Sequence, residues 1–185
     1  MDAPAAPAID WRFETPRLRA RLVDDRDRDL YRNLYADPAV MAHIGAVLNQ
    51  AEADIVFGKV LRYNVETPVR ARYWRLSDIA SGDDAGLLSN LRMVEDPGLV
   101  ELGIMLLPCR QGRRIGLELA TKIIDLLMEN RWGLDTRTVI ARTAPTNARV
   151  ACLTTQLGFE AIASQNVQQE WWRLTREEWL AANGG

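Results

Sequence analysis

Apolar Leu18, Ala20 and Leu22 alternate with Arg17, Arg19 and Arg21. A period of two belongs to a half-buried strand, here expected over residues 13–23. Over residues 24–37 the period lengthens to that of a charged amphipathic helix, with Leu30, Tyr31, Leu34 and Tyr35 on one stripe and Pro38 as its end. Val40, Met41 and Ile44 predict a short second helix that stops at Gly45. Residues 50–65 predict a third, burying Ile55, Val56, Val60 and Leu61. The strand period returns over 70–76 and 86–94, joined across the polar turn 81–85. It returns again over 99–107, after an Asp96-Pro97-Gly98 turn in which Pro fixes φ and Gly accepts φ > 0. These three strands predict an antiparallel meander.

The clearest helix spans residues 115–132. Ile115, Leu119, Ile123 and Leu127 share one stripe, Glu118, Lys122, Asp125 and Glu129 form the opposite, solvated one, and Gly133 is placed to cap it. A strand over 138–143, a short helix from Asn147 to Gly158, and strands over 159–163 and 167–174 follow. A tail helix opens on a Thr175-x-x-Glu178 capping box. No repeat or linker interrupts the series. The elements predict one α+β domain over residues 11–185: a mixed, mostly antiparallel twisted sheet of about seven strands, helices on both faces, and a βαβα unit in the second half.

At 185 residues and 48% hydrophobic, the chain has enough apolar side chains for a core of its own. A net charge of −2 argues against a general binder of nucleic acid or membrane surfaces, and no apolar run approaches a membrane span. Residues 1–10, MDAPAAPAID, lack the basic start and apolar core of a signal peptide and are read as a disordered leader in a cytoplasmic protein. The 2 cysteines, Cys109 and Cys152, and the single His43 make neither a metal-ligand spacing nor a disulfide framework. No metal cofactor is expected.

Candidate chemistry concentrates in VELGIMLLPCRQGRRIG, residues 100–116. A strand runs through a Pro break into an Arg- and Gly-rich loop that opens onto the long helix. Helix N-termini offer unpaired N–H groups and a partial positive charge, which suits phosphate. Arg110, Arg113 and Arg114 crowd this entrance, and Glu101 sits one strand-length away among apolar neighbours.

Five segments in order, TPRLRAR, ADPAVMAHIG, VELGIMLLPCRQGRRIGLELA, TNARVACLTTQLGFEAIA and WWRLTREEW, resemble the GNAT superfamily of acyl-CoA-dependent N-acyltransferases. Within it they are most similar to the ribosomal-protein N-terminal acetyltransferase branch. The resemblance covers nearly the whole chain. It implies the GNAT fold, acetyl-CoA as co-substrate, and a primary amine as acceptor, on a protein N-terminus or a small molecule. It leaves open a longer acyl-CoA or acyl-carrier-protein donor, a module without catalysis, and a monomer or homodimer.

The family's pyrophosphate loop falls on Gln111, Gly112, Arg113, Arg114, Ile115 and Gly116, with Arg114 where the first glycine is usual. If that position needs φ > 0, an arginine there is strained by roughly 1–2 kcal/mol. The resemblance makes Glu101 the general base and has Asn147 orient the pantetheine arm, beside its role as a helix cap. Strand amides of Met105, Leu106 and Leu107 should pair with that arm. The usual acids, a Ser and a Tyr, are replaced by Val150 and Thr154. Thiolate leaves unaided near neutral pH, with a pKa of roughly 8.5. A single carboxylate base suits an α-amine, pKa about 8, better than a lysine, about 10.4. Cys152 is read as a core thiol, His43 as structural, Tyr31 and Tyr35 as packing, and Trp74 as a residue that could line an acceptor groove.

Overall fold

Pro16 breaks the first expected strand. In the computed structural model, which describes residues 9–163 and 168–184, Thr15 N–H donates to Leu18 O at 2.8 Å. The chain turns back there, giving a hairpin of β1 (Phe13–Glu14) and β2 (Leu18–Leu22). Of the leader expected over residues 1–10, only Ile9 and Asp10 lie within the described residues. Asp10 O already accepts from Trp132 Nε1 at 3.0 Å. Val167, the expected start of the last strand, also lies outside the described residues.

After a short 3-10 turn come α1 (Arg28–Ala36), α2 (Pro38–Met41) and α3 (Gln50–Val65). Pro38 ends one helix and starts the next, where its missing N–H costs nothing. On α3 the buried positions are Ala53, Phe57, Val60 and Asn64. Ile55 lies about 200° around the helix from Ala53 and is 66% exposed, contrary to the sequence reading. Asn64 earns its buried place by donating to Val23 O and Tyr73 O, each at 3.0 Å.

The meander is β3 (Ala71–Asp78), β4 (Asp84–Arg92) and β5 (Leu99–Leu106). Then follow α4 (Ile115–Met128), β6 (Thr138–Thr143), α5 (Ala148–Gln156), β7 (Glu160–Ile162), β8 (Glu170–Thr175) and α6 (Arg176–Asn183). Helix α4 stops one turn before the expected end, because Asn130, at φ 58°, reverses the chain ahead of Gly133. The capping box of Thr175 and Glu178 is formed.

The described strands make one sheet in the order β1-β2-β3-β4-β5-β6-β8-β7. β5 and β6 run parallel; the other neighbouring pairs are antiparallel. The hairpin at Pro16 supplies the strand beyond the expected seven. One face packs Leu119, Ile123 and Leu127 of α4 against Trp74, Leu88 and Val100. The other packs Leu30, Tyr31 and Phe57 of α1 and α3 against Leu87, with Met105 partly buried beside them. Trp74 is fully buried, its ring 5.5 Å from that of Trp132, and so lines no groove.

Candidate active site

Strand β5 carries the centre of the site. Leu107 N–H donates to Ala85 O at 3.0 Å, and Leu99 O accepts from Met93 N–H at 2.9 Å. Odd-numbered residues of β5 therefore direct their backbone groups at β4, and even-numbered ones the other way. On that other side β6 pairs only as far as Glu101 with Ile140, although both strands continue. The strands part, and Leu102, Ile104 and Leu106 turn backbone groups into the opening. The backbones of Met105 and Leu107 are spent inside the sheet, and their side chains pack toward α1 and α3.

Glu101 stands where the strands separate. Its carboxylate is gripped by Arg142 of β6, with Nε donating to Oε1 at 2.8 Å and Nη2 to Oε2. The pair is partly shielded, the side chains being 18% and 33% exposed. The Arg142 guanidinium lies 5.1 Å from the centre of the Trp171 ring. Sequence reasoning passed over Arg142. Alternation along β6 puts it on the face of Ile140, but the register that sets Ile140 opposite Glu101 is a long-range fact.

Tyr73 of β3 shares this face, in register with Ser89 of β4, which is itself opposite Gly103. Burial, then Tyr35, Tyr63 and the charge of Glu101, push its hydroxyl up to about 12, so it stays neutral. Tyr63 stacks on Tyr73 with centroids 6.3 Å apart. Tyr35 packs as expected, stacked on Tyr31 with centroids 4.4 Å apart, in the same cluster as Tyr73.

The loop after β5 is left-handed at three successive residues: Gly112 (φ 81°), Arg113 (φ 49°) and Arg114 (φ 59°). Arg114 thus carries the strain foreseen for a positive φ. Among the described residues, the amides of Gly112, Arg113, Arg114, Gly116 and Leu117 have no backbone acceptor. At Gly116 even an added Cβ would meet only Leu153 Cδ2 at 3.9 Å, so the approach there is open. Gln111 tethers the loop by donating to Leu106 O at 3.1 Å while its Oε1 accepts from Arg149 Nη1 of α5 at 2.8 Å. Arg17 tethers it from the β1–β2 turn, donating to Arg113 O at 2.9 Å and to Glu118 Oε2 at 2.6 Å. Glu118 therefore leaves the solvated stripe. Asp125 leaves it too, accepting from Trp179 Nε1 at 2.9 Å.

Arg110 does not join the cluster at the helix entrance. It pairs with Asp78 at 2.9 Å and Asp83 at 3.1 Å. Arg113 and Arg114 are exposed, and neither makes an ion pair with a described residue. Two unpaired cations at the positive end of a helix repel its dipole. Free amides, left-handed strain and unpaired arginines together fit an anion of high charge density, such as a diphosphate.

Asn147 caps α5, its Oδ1 accepting from Val150 N–H at 3.3 Å, and keeps its amide N–H₂ for another partner. Val150 offers no titratable group. Thr154 is buried with its hydroxyl donated to Val150 O and Ala151 O, each at 3.0 Å. Cys152 is exposed rather than a core thiol, because it lies away from Leu153 and Leu157 on α5. His43 meets Thr146, the neighbour of Asn147, at 3.3 Å and so joins the α2–α3 loop to the start of α5. Among the described residues no group of three or more His, Cys, Asp or Glu is placed to hold a metal ion, and no helix is long and apolar enough to cross a membrane.

A model of the acetyltransferase (GNAT) domain family matches residues 17–160. Among solved structures, an acetyltransferase from Agrobacterium tumefaciens str. C58 superposes with a TM-score of 0.74 at 19% identity, covering 94% of this chain and 99% of that one. Spermidine N-acetyltransferase from Vibrio cholerae, in complex with CoA and spermine, gives 0.72 at 16% identity, covering 88% and 98%. Apo FdhC, a nucleotide-linked sugar GNAT, gives 0.74 at 12% identity, covering 94% of each chain.

Proposed function

For a chain that belongs to the GNAT acetyltransferase family, as this one does, we propose an N-acyltransferase that moves an acetyl group from acetyl-CoA to a primary amine by direct attack in a ternary complex. The observation that carries this reading is the set of free amides at Gly112, Arg113, Arg114, Gly116 and Leu117, opening onto the unpaired edge of β5 that leads back to Glu101.

Each part has a task. Gln111 holds the loop, and Gly112, Arg113, Arg114 and Gly116 receive the diphosphate at the head of α4, while the Ile115 amide is spent on Gly112 O at 3.1 Å. The open edge of β5, from Leu106 back to Leu102, extends a ladder to the pantetheine arm, and Asn147 offers it an amide donor. Five residues of strand separate Leu106 from Glu101, about 17 Å, the span the arm would cross to bring its thioester beside the carboxylate. The amine nitrogen bonds to the carbonyl carbon, the carbon–sulfur bond breaks, and Glu101 receives the amine proton. The thiolate departs without a protein acid, consistent with Val150 and Thr154. The ribosomal-protein resemblance keeps a protein N-terminus among the acceptors, beside small amines.

The test pairs binding with turnover. Glu101→Gln is expected to lower kcat by ~10²-fold or more, while titration calorimetry finds acetyl-CoA bound nearly as in the wild type. A variant with unimpaired turnover removes Glu101 from proton transfer. Wild-type protein that binds no acetyl-CoA removes the reading altogether.

A further inference from the structure

In the arrangement described Arg142 donates to both oxygens of Glu101, which leaves an incoming amine only the remaining lone pairs. An acceptor that draws Arg142 away while bringing its amine to the same carboxylate makes the fullest use of this pair. A simple amine offers Arg142 nothing in exchange. A polyamine adds further cations near an arginine, and a protein N-terminus has its own carboxyl tied up in a peptide bond.

Resting on the acyltransferase reading, we infer that the acceptor is a free α-amino acid or a close amino-carboxylate, recognised by Arg142 through its carboxylate and by Glu101 through its ammonium. The oppositely charged groups of the protein lie within hydrogen-bond distance of each other. The two charges of an α-amino acid hang from one carbon, at comparable spacing. Docking it exchanges one bidentate pair for two crossed pairs, so no charge is left uncompensated. Arg142 keeps its place during the exchange because Trp171 supports its guanidinium. The nearby Arg173 on the same face of β8 is unavailable for this role, being paired with Glu160 at 2.7 Å and Glu178 at 3.3 Å. Once Arg142 turns to the substrate carboxylate, an oxygen of Glu101 is free for the proton that the amine must lose. Tyr73 of β3 and Tyr35 of α1 lie on this side of the sheet, where the amino acid's side chain would be read.

The experiment compares the common L-amino acids with their carboxamides, alongside spermidine and a short peptide, using acetyl-CoA and following thiol release. The free acid is expected to exceed its amide in kcat/KM by roughly tenfold or more, the worth of a charge-assisted hydrogen bond, with the difference in KM. In Arg142→Gln that ratio should collapse toward one; a purely structural role would lower acid and amide alike and leave the ratio standing. Calorimetry of amino acids on the CoA-loaded protein gives a second readout independent of turnover: binding in the wild type and its loss in Arg142→Gln. A wild-type preference for amide, peptide or spermidine, a ratio unmoved by Arg142→Gln, or no binding or turnover of any amino acid overturns the inference. Transfer to spermidine or peptide alone overturns it while leaving the acyltransferase reading standing. Transfer to no amine at all sinks that reading too.

Discussion

Arg114 adopts φ 59° at the positive end of α4, a conformation and a position that both disfavour an arginine unless an anion is bound. Replacing it with glycine separates the two effects. In the ligand-free protein, Arg114→Gly is expected to raise stability by about 1 kcal/mol through relief of left-handed strain, seen as a higher Tm. Its affinity for acetyl-CoA should fall by roughly 1.5–3 kcal/mol, a loss that shrinks as salt screens the charge. Tighter binding by the glycine variant would mean that the arginine obstructs the loop. The tyrosines give a second expectation at this scale. Burial pushes the hydroxyls of Tyr31 and Tyr73 upward, that of Tyr73 to about 12. Of the 4 tyrosines, these two should add no phenolate absorbance until well above the ordinary value of about 10. Raised values favour the folded state below the unfolded pKa. Stability should therefore fall as pH rises from about 10 through about 12, with the late absorbance appearing as the protein unfolds. Full phenolate absorbance in the native protein near pH 10 would contradict the burial.

Strands β4 and β5 meet so closely at their far ends that a single methyl group should disturb the site. A Cβ on Gly86 would stand 2.0 Å from Met105 O and 2.9 Å from Leu106 Cα, both backbone atoms that cannot step aside alone. Gly86→Ala is expected to cost about 2 kcal/mol or more in denaturant unfolding and to weaken acetyl-CoA, since Leu106 borders the opening. A neutral effect on both would show that this end of the sheet yields easily. Periodicity alone located β5 and α4, and the Pro break and glycines between them marked the loop, because each signal is local. What periodicity could not reveal was which partner each residue meets. Glu118 and Asp125 read as solvated on helical spacing, yet one holds Arg17 and the other Trp179. Arg110 read as part of an anion site because it is close in sequence, yet Asp78 and Asp83 hold it on the β3–β4 turn. Arg142 became visible only when strand register set Ile140, two residues before it on the same face, opposite Glu101. Ile55 was misplaced for a different reason, since α3 carries apolar residues on more than one stripe and only the packed face decides which are buried.

Across the molecule, the site depends on distant parts of the chain converging on one strand. Arg17 comes from the β1–β2 turn, Arg142 from β6, Arg149 from α5 and Tyr73 from β3, while His43 ties the α2–α3 loop to Thr146. The mixed sheet with helices on both faces was legible because the elements alternate in a recognisable order. The extra strand was not, because the turn at Pro16 looks like the interior of one alternating segment. In the proposed reaction the acetyl group passes directly from acetyl-CoA to an amine, and Glu101 takes the proton. The most direct measurement is mass spectrometry of protein and acceptor together during turnover with isotope-labelled acetyl-CoA. Labelled acetyl should appear on the acceptor nitrogen in step with thiol release, and never on the protein. A labelled acetyl-enzyme that forms and decays during turnover, or thiol release without an acetylated amine, would contradict the account.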